Sequence, residues 1–251
     1  MQKQPVNSFS TQLTGIEEGR IRTAYAKRQD ELRYSCFNSG HLFMLQERER
    51  QFLALLKRHG FGSITTKNIL EIGCGKGTWL RDFIKWGAQP ENLRGVDLLT
   101  DRVAQAQQLC PELVKIYCGN ASNLPIPDAT FDLVLQATVF SSILDTRMKQ
   151  QIACEMLRVV KDDGLILWYD NHISNPWNLD TRGIKKQEIA QLFPDCKIHL
   201  QRITLAPPIY RLLAPYSWLL CYLLERIPCL CTHYLGVIRK RKVEVKRAVH
   251  V

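Results

Sequence analysis

An apolar run, Ile69-Leu70-Glu71-Ile72, breaks into three glycines at alternate positions: Gly73, Gly75 and Gly77. The run reads as a buried parallel strand, and the glycines as a tight turn into a helix. Glycine lets the backbone approach a ligand closely, because no Cβ intervenes. Asp97, 24 residues beyond Gly73, closes a second apolar stretch. An acid at a strand tip can accept hydrogen bonds from both hydroxyls of a ribose. Together these features describe an adenosine site at the carboxyl edge of an open α/β sheet.

The spacing separates adenosine ligands. A dinucleotide fingerprint, G-x-G-x-x-G, would place its third glycine at position 78, which is Thr78. Glu71, two residues before the glycines, suits an ammonium group and repels a pyrophosphate. No G-x-x-x-x-G-K-[ST] occurs, so a P-loop is excluded. Other segments follow in order: Gly95-Val96-Asp97-Leu98, Gly119-Asn120-Ala121-Ser122-Asn123-Leu124-Pro125, Phe131-Asp132-Leu133-Val134-Leu135-Gln136, and Leu157 to Leu165.

With these segments in this order, the chain resembles the class I S-adenosylmethionine-dependent methyltransferases, most strongly over about residues 66–170. The resemblance implies S-adenosylmethionine as cofactor. It assigns Glu71, Gly73, Gly75, Gly77, Asp97, Leu98, Asn120, Ala121 and Gln136 to the cofactor site. Asn120 stands where the family pattern G-D-A-x-x-L-P has Asp. Its carbonyl oxygen can still accept from an adenine amino group, without a charge.

Strands are expected near 68–72, 93–97, 114–118, 131–136, 164–170, 196–204 and 234–238, with helices between most of them. That alternation predicts a Rossmann-like, doubly wound α/β sheet of seven strands. The resemblance makes the closing strand antiparallel, between strands five and six. Residues 1–60 are expected to form an N-terminal helical cap over the cofactor cleft, loosely ordered to about residue 19. Residues 61–251 would form the methyltransferase domain, with a helical insertion at 206–231. In the cap, Leu45, Phe52, Leu53, Leu55 and Leu56 form an apolar stripe, Gly60 is a helix stop, and Glu47-Arg48-Glu49-Arg50 reads as a solvated face.

Composition narrows the setting. Met1 to Gly15 is polar, without the apolar core of a signal peptide. Nine scattered cysteines, with no C-x-x-C pair, suit buried thiols in a reducing cytoplasm, and no metal site is expected. The net charge is +10, and Arg239 to Arg247 holds six Lys or Arg against one Glu, read first as a solvated terminus. The pattern leaves the oligomeric state open.

The run Leu212 to Leu224 is thirteen residues without a charge, too short to span a membrane, which takes about 20. A buried packing helix, an acceptor-pocket wall carrying Trp218, and an interfacial membrane helix making peripheral contact are all open readings. The acceptor edge follows strands four and five. An Asn/Asp-Pro-Pro-aromatic tetrad is missing after Gln136, so no nucleic-acid acceptor is expected. His172 is the first candidate for a general base and Asp170 the second. The segment Asn175-Pro176-Trp177-Asn178-Leu179-Asp180-Thr181-Arg182 is similar to one in methyltransferases of polysaccharide and lipid-linked glycan assembly, which implies acceptor contacts from Asn175, Asn178 and Arg182. The expected activity is methyl transfer to a hydroxyl of a sugar or glycan intermediate. A small-molecule O- or N-methyltransferase of a natural-product pathway is the alternative, and a non-catalytic cofactor-fold module is a third reading.

Overall fold

The computed structural model describes residues 7–27 and 35–241. Most of the basic tail, residues 242–247, lies outside the described residues. Seven strands form one sheet in the order β3-β2-β1-β4-β5-β7-β6. They are β1 (Ile69–Ile72), β2 (Leu93–Asp97), β3 (Lys115–Cys118), β4 (Phe131–Ala137), β5 (Val160–Asn171), β6 (Cys196–Leu205) and β7 (Cys231–Lys240). The first five pair in parallel, and β7 lies antiparallel between β5 and β6, as expected.

The chain builds outward from β1 to β3, then returns to lay β4 on the other side of β1. Ile72 lies beside both Val96 and Gln136. This reversal opens a crevice at the carboxyl ends of β1 and β4, where open α/β sheets bind ligands.

Alternation sorts side chains between two cores. Leu70, Ile72, Val134, Ile166 and Trp168 face one layer, built from α5 (Thr146–Val159) and α6 (Lys186–Leu192). Ile69, Leu133, Leu135 and Leu167 face the other, with α2 (Ser39–Arg58) and α3 (Thr78–Lys85). Burial of each large apolar chain contributes about 1.5–3 kcal/mol, so neither face tolerates a one-residue slip of register. The helix α4 (Thr100–Leu109) joins β2 to β3.

The N-terminal helix α1 runs Asn7–Ala26, so residues 7–19 are helical rather than loose. Gly15 and Gly19 weaken its intrinsic propensity. Contacts with the rest of the fold hold it, as shown below. In α2 the side chain of Asn38 accepts from His41 N at 3.0 Å as N-cap, and Gly60 at φ +88° ends the turn. Phe52, Leu55 and Leu56 are buried, whereas Leu53 is exposed. The expected solvated run is also corrected: Glu47 is buried, because its carboxylate accepts from Thr204 N (2.6 Å) and Leu205 N (3.3 Å) at the end of β6.

The insertion folds as two short helices, α7 (Pro207–Leu213) and α8 (Trp218–Leu224). Ser217 caps α8 by accepting from Leu220 N at 3.2 Å. A Cβ on Gly40 would lie 3.1 Å from Arg211 Cα, so α2 and α7 approach closely there. No described helix is long and apolar enough to cross a membrane. All nine cysteines are free thiols.

Candidate cofactor and acceptor site

The loop after β1 is left-handed at all three glycines, with φ +67° at Gly73, +53° at Gly75 and +72° at Gly77. Gly73 N and Cys74 N donate to Val96 O at 2.8 and 3.0 Å, which ties the loop to β2. A Cβ on Gly73 would lie 2.5 Å from Val139 Cγ2, and one on Gly77 2.5 Å from Cys110 Sγ. Conformation and space thus both require glycine at these two positions.

Asp97 completes the crevice. Its Oδ2 accepts from Gly75 N at 2.8 Å, and its Oδ1 from Leu99 N at 2.9 Å. One carboxylate therefore fixes the glycine loop and the turn after β2, while each oxygen keeps capacity to accept a further hydrogen bond. The cleft beside it measures about 820 Å³, partly open to solvent. Gly73, Asp97, Leu98, Asn120 and Ala121 line it, as do Arg102, Thr138, Val139 and Ser142, with Ile21 and Tyr25 of α1.

Glu71, Gly75, Gly77 and Gln136, also expected at the cofactor, stand behind the wall. Gly75 and Gly77 shape the loop. Gln136 is buried and accepts from Val139 N at 3.3 Å, so it braces the turn after β4. Glu71 is buried with Oε2 lacking any partner, and burial, then the nearby Asp97 and Asp82, push its carboxyl well above the ordinary range. A cation bound against the loop would favour its charged form. These residues fit S-adenosylmethionine: an acceptor pair for ribose, a loop that a Cβ would fill, and a buried acid whose Oε2 has no hydrogen-bond partner.

The helix α1 closes the cleft by a clasp absent from the sequence reading. Glu17 Oε1 accepts from Leu144 N at 2.6 Å, and its carboxylate pairs with Arg20 at 2.8 Å. Arg20 also donates to Ser142 O at 2.6 Å and Asp180 O at 3.3 Å. Tyr25 meets Ser142 Oγ at 3.1 Å, and Arg102 lies 4.5 Å over the Tyr25 ring. Asn120 donates to Glu18 at 2.7 Å, so the residue that departs from the family pattern holds the lid. Burial alone would raise the Glu17 carboxyl; its bonds to Arg20 and Leu144 N outweigh that and hold it below the ordinary range.

Thr138, just past β4, adopts φ +58°. A β-branched residue there carries about 1–3 kcal/mol of strain. Thr138 N donates to Tyr169 O at 2.8 Å, and Ser142 Oγ to Thr138 O at 3.2 Å, which hold the turn against the pocket. No local sequence signal marks this residue, because the bonds that impose its conformation come from β5 and the following turn.

Neither base candidate lines the cleft. Asp170 is wholly buried and accepts from Ser141 N at 3.1 Å and Asn171 N at 2.8 Å, joining the ends of β4 and β5. Burial pushes its carboxyl up to about 6, against the opposing hydrogen bonds from Ser141. His172 is buried, stacks on Tyr234 at 4.5 Å, and has Nε2 3.0 Å from Cys231 O. A carbonyl can only accept, so Nε2 carries the proton and the ring is anchored. Burial lowers the His172 pKa. Both side chains are thus engaged by hydrogen bonds within the fold.

The acceptor-side residues are dispersed. Asn175 accepts from Trp177 N at 3.0 Å, and Asn178 from Asp180 N at 3.1 Å, so both side chains form local turns. Arg182 pairs with Glu188 at 2.8 Å, while its backbone N donates to Ser141 O at 2.8 Å. Trp218 is not on the cleft; it is 38% exposed and meets edge-on, at 5.8 Å, the ring of Phe43, which belongs to a separate small core. Among the described residues, no group of three His, Cys, Asp or Glu is placed to hold a metal.

Residues 69–164, which carry most of the cleft, match the family model described as a methyltransferase domain. The chain is 30% identical over 117 residues to a tRNA N(3)-cytidine methyltransferase of Gallus gallus, covering 43% of this chain and 31% of that protein. It is 36% identical over 99 residues to norajmaline N-methyltransferase of Rauvolfia serpentina, covering 37% of this chain and 32% of that protein. The chain thus spans about a third of the length of these relatives. The crystal structure of a SAM-dependent methyltransferase from Archaeoglobus fulgidus has the same fold, with TM-score 0.53 at 16% identity, covering 79% of this chain and 98% of that one. Residues 69–164 are thus similar to methyltransferase domains, on a fold shared with a solved SAM-dependent methyltransferase.

Proposed function

We propose that this protein transfers the methyl group of S-adenosylmethionine to a hydroxyl of a sugar or glycan intermediate. The observation that carries the acceptor is the loop after β5. It presents the Trp177 ring 92% exposed, on a segment tied to the cleft through Arg182 N to Ser141 O and Arg20 to Asp180 O. An exposed indole plane suits the apolar face of a sugar ring.

Bound in the cleft, S-adenosylmethionine supplies a methyl group already activated on a sulfonium. Asp97 would hold the ribose, Asn120 and Ala121 would border the adenine, and the clasped α1 would cover one side of the cleft, which stays partly open to solvent. Among the described lining residues there is no imidazole, and Asp97 is the only carboxylate. Alignment of the acceptor oxygen with the methyl group would carry the rate, and the hydroxyl proton would leave through the open side of the cleft to solvent. The helix α1 acts as the lid, while α2 packs on the opposite core, and 61–251 act as the catalytic domain. We place the reaction in the cytoplasm, where nine unpaired thiols persist. An acceptor carried on lipid would be met by peripheral contact with a membrane.

A small-molecule acceptor is the second reading, favoured by the similarity to norajmaline N-methyltransferase. Transfer of tritiated methyl to a panel of nucleotide sugars, lipid-linked sugars, alkaloid amines and tRNA distinguishes them. Label in an O-methyl sugar is expected. Label only in amines or tRNA would overturn the acceptor, and no label in any would favour a non-catalytic module.

A further inference from the structure

The uncharged run Leu212 to Leu224, for which a buried packing helix is one of three open readings, is exposed on its outer side. Leu212 is 68% exposed, Tyr216 86%, Leu219 69% and Leu223 54%, with Leu220 and Ile227 also open to solvent. Leu219, Leu220 and Leu223 recur at three- and four-residue spacing, so they form one stripe along α8. The opposite side, Cys221 and Leu224, already packs on Phe43, Leu205 and Tyr210. A helix apolar on both sides needs a second apolar surface.

Charge indicates what that surface is. From Ala206 to Leu224 the only charged residue is Arg211. Glu225, which follows, is buried and neutralised by Arg50 at 3.0 Å. Beside the stripe lies a cleft lined by Arg50, Arg202 and Arg226, and both Arg50 and Arg226 flank the Tyr222 ring, at 5.1 and 4.6 Å. An apolar stripe beside a tyrosine, bordered by guanidinium groups and free of exposed acids, complements the acyl boundary and the phosphates of an anionic bilayer.

We infer that α7 and α8 dock this protein on an anionic lipid surface, with the α8 stripe in the acyl boundary and the arginine cleft at the headgroups. The insertion follows β6 and leads into β7, and Cys231 O touches His172 at the carboxyl end of β5, so the docked face lies on the sheet edge that bears the cofactor cleft. This surface stands whichever acceptor is methylated.

The test is cosedimentation of the full chain with vesicles of phosphatidylcholine containing phosphatidylglycerol, and with phosphatidylcholine alone. Wild type is expected to bind the anionic vesicles and to bind the neutral ones more weakly. Leu219→Glu with Leu223→Glu should lower anionic binding by at least about tenfold while S-adenosylmethionine affinity, read by calorimetry, stays unchanged. Arg226→Ala should lower binding to anionic vesicles only. The inference is overturned if wild type binds neither vesicle, if the double variant binds as well as wild type, or if light scattering shows a dimer that the same variant dissociates, since a second copy would then cover the stripe.

Discussion

The cofactor side and the acceptor side of the sheet are built by different means. Around β1 and β2, one short loop does most of the work: three left-handed glycines and one aspartate, linked by backbone bonds within 25 residues. Around β5 to β7, polar groups find partners far away in the chain. Glu47 caps the end of β6, His172 bonds to Cys231 O, and Asp170 holds the turn after β4. The first side is set by local chemistry and varies little in what it can bind. The second is set by tertiary contacts, which engage its buried His and Asp in hydrogen bonds within the fold.

The largest effect that would break this contrast is expected at Gly73. Gly73→Val places branched carbon where φ is +67° and Val139 stands 2.5 Å from a Cβ. Calorimetry should show cofactor affinity falling at least about a hundredfold, equivalent to about 2.7 kcal/mol. Intact affinity would mean that the loop does not contact the cofactor. Next is the clasp. Glu17→Ala strips the acceptor from Leu144 N and the partner from Arg20, and should cost about 1–3 kcal/mol. Stopped-flow release of S-adenosylmethionine should quicken several-fold, and unchanged release would leave α1 a passive cover.

Two carboxylates sharpen the comparison through pH. Glu17 is held below its ordinary value, so its contribution is present at neutral pH and is lost as pH falls through its folded value. Glu47 is pushed up to about 7, by burial first and the Glu225 charge second, so the folded state binds its proton more tightly than the unfolded state. Stability from that group is greatest in acid and falls as pH rises from about 4.5 to about 7. Denaturant melts of Glu47→Gln against wild type should show a difference that changes across that window. A constant difference would mean that Glu47 does not titrate there. The smallest effect is expected at Trp218, which is 38% exposed. Trp218→Ala should cost about 1–2 kcal/mol, below the 3–5 of a fully buried aromatic, with no change in cofactor affinity. A loss expressed in acceptor KM would return Trp218 to the acceptor site.

The same contrast explains what the sequence made legible. Strand positions and the sheet class follow from alternating apolar runs, and the glycine loop with Asp97 is a local pattern. Residues 7–19 were hidden because Gly15 and Gly19 mask a helix that Glu17 and Arg20 hold by contacts more than 100 residues away. Glu47 looked solvated beside Arg48 and Arg50, since nothing nearby in the chain announces the β6 amides that it accepts from. The exposure of Leu219 and Leu223 was equally hidden, because an apolar run does not say which of its sides is covered.

The central claim is that Asp97, under the α1 lid, grips the ribose of S-adenosylmethionine. Calorimetric titration of wild type and Asp97→Ala tests it most directly, with melting curves recorded on both. Each charge-assisted bond is worth about 1.5–3 kcal/mol, so affinity should fall at least about tenfold while unfolding stays cooperative. NAD should show no comparable binding to either protein. Equal S-adenosylmethionine affinity in the two proteins, with both folded, would contradict the account.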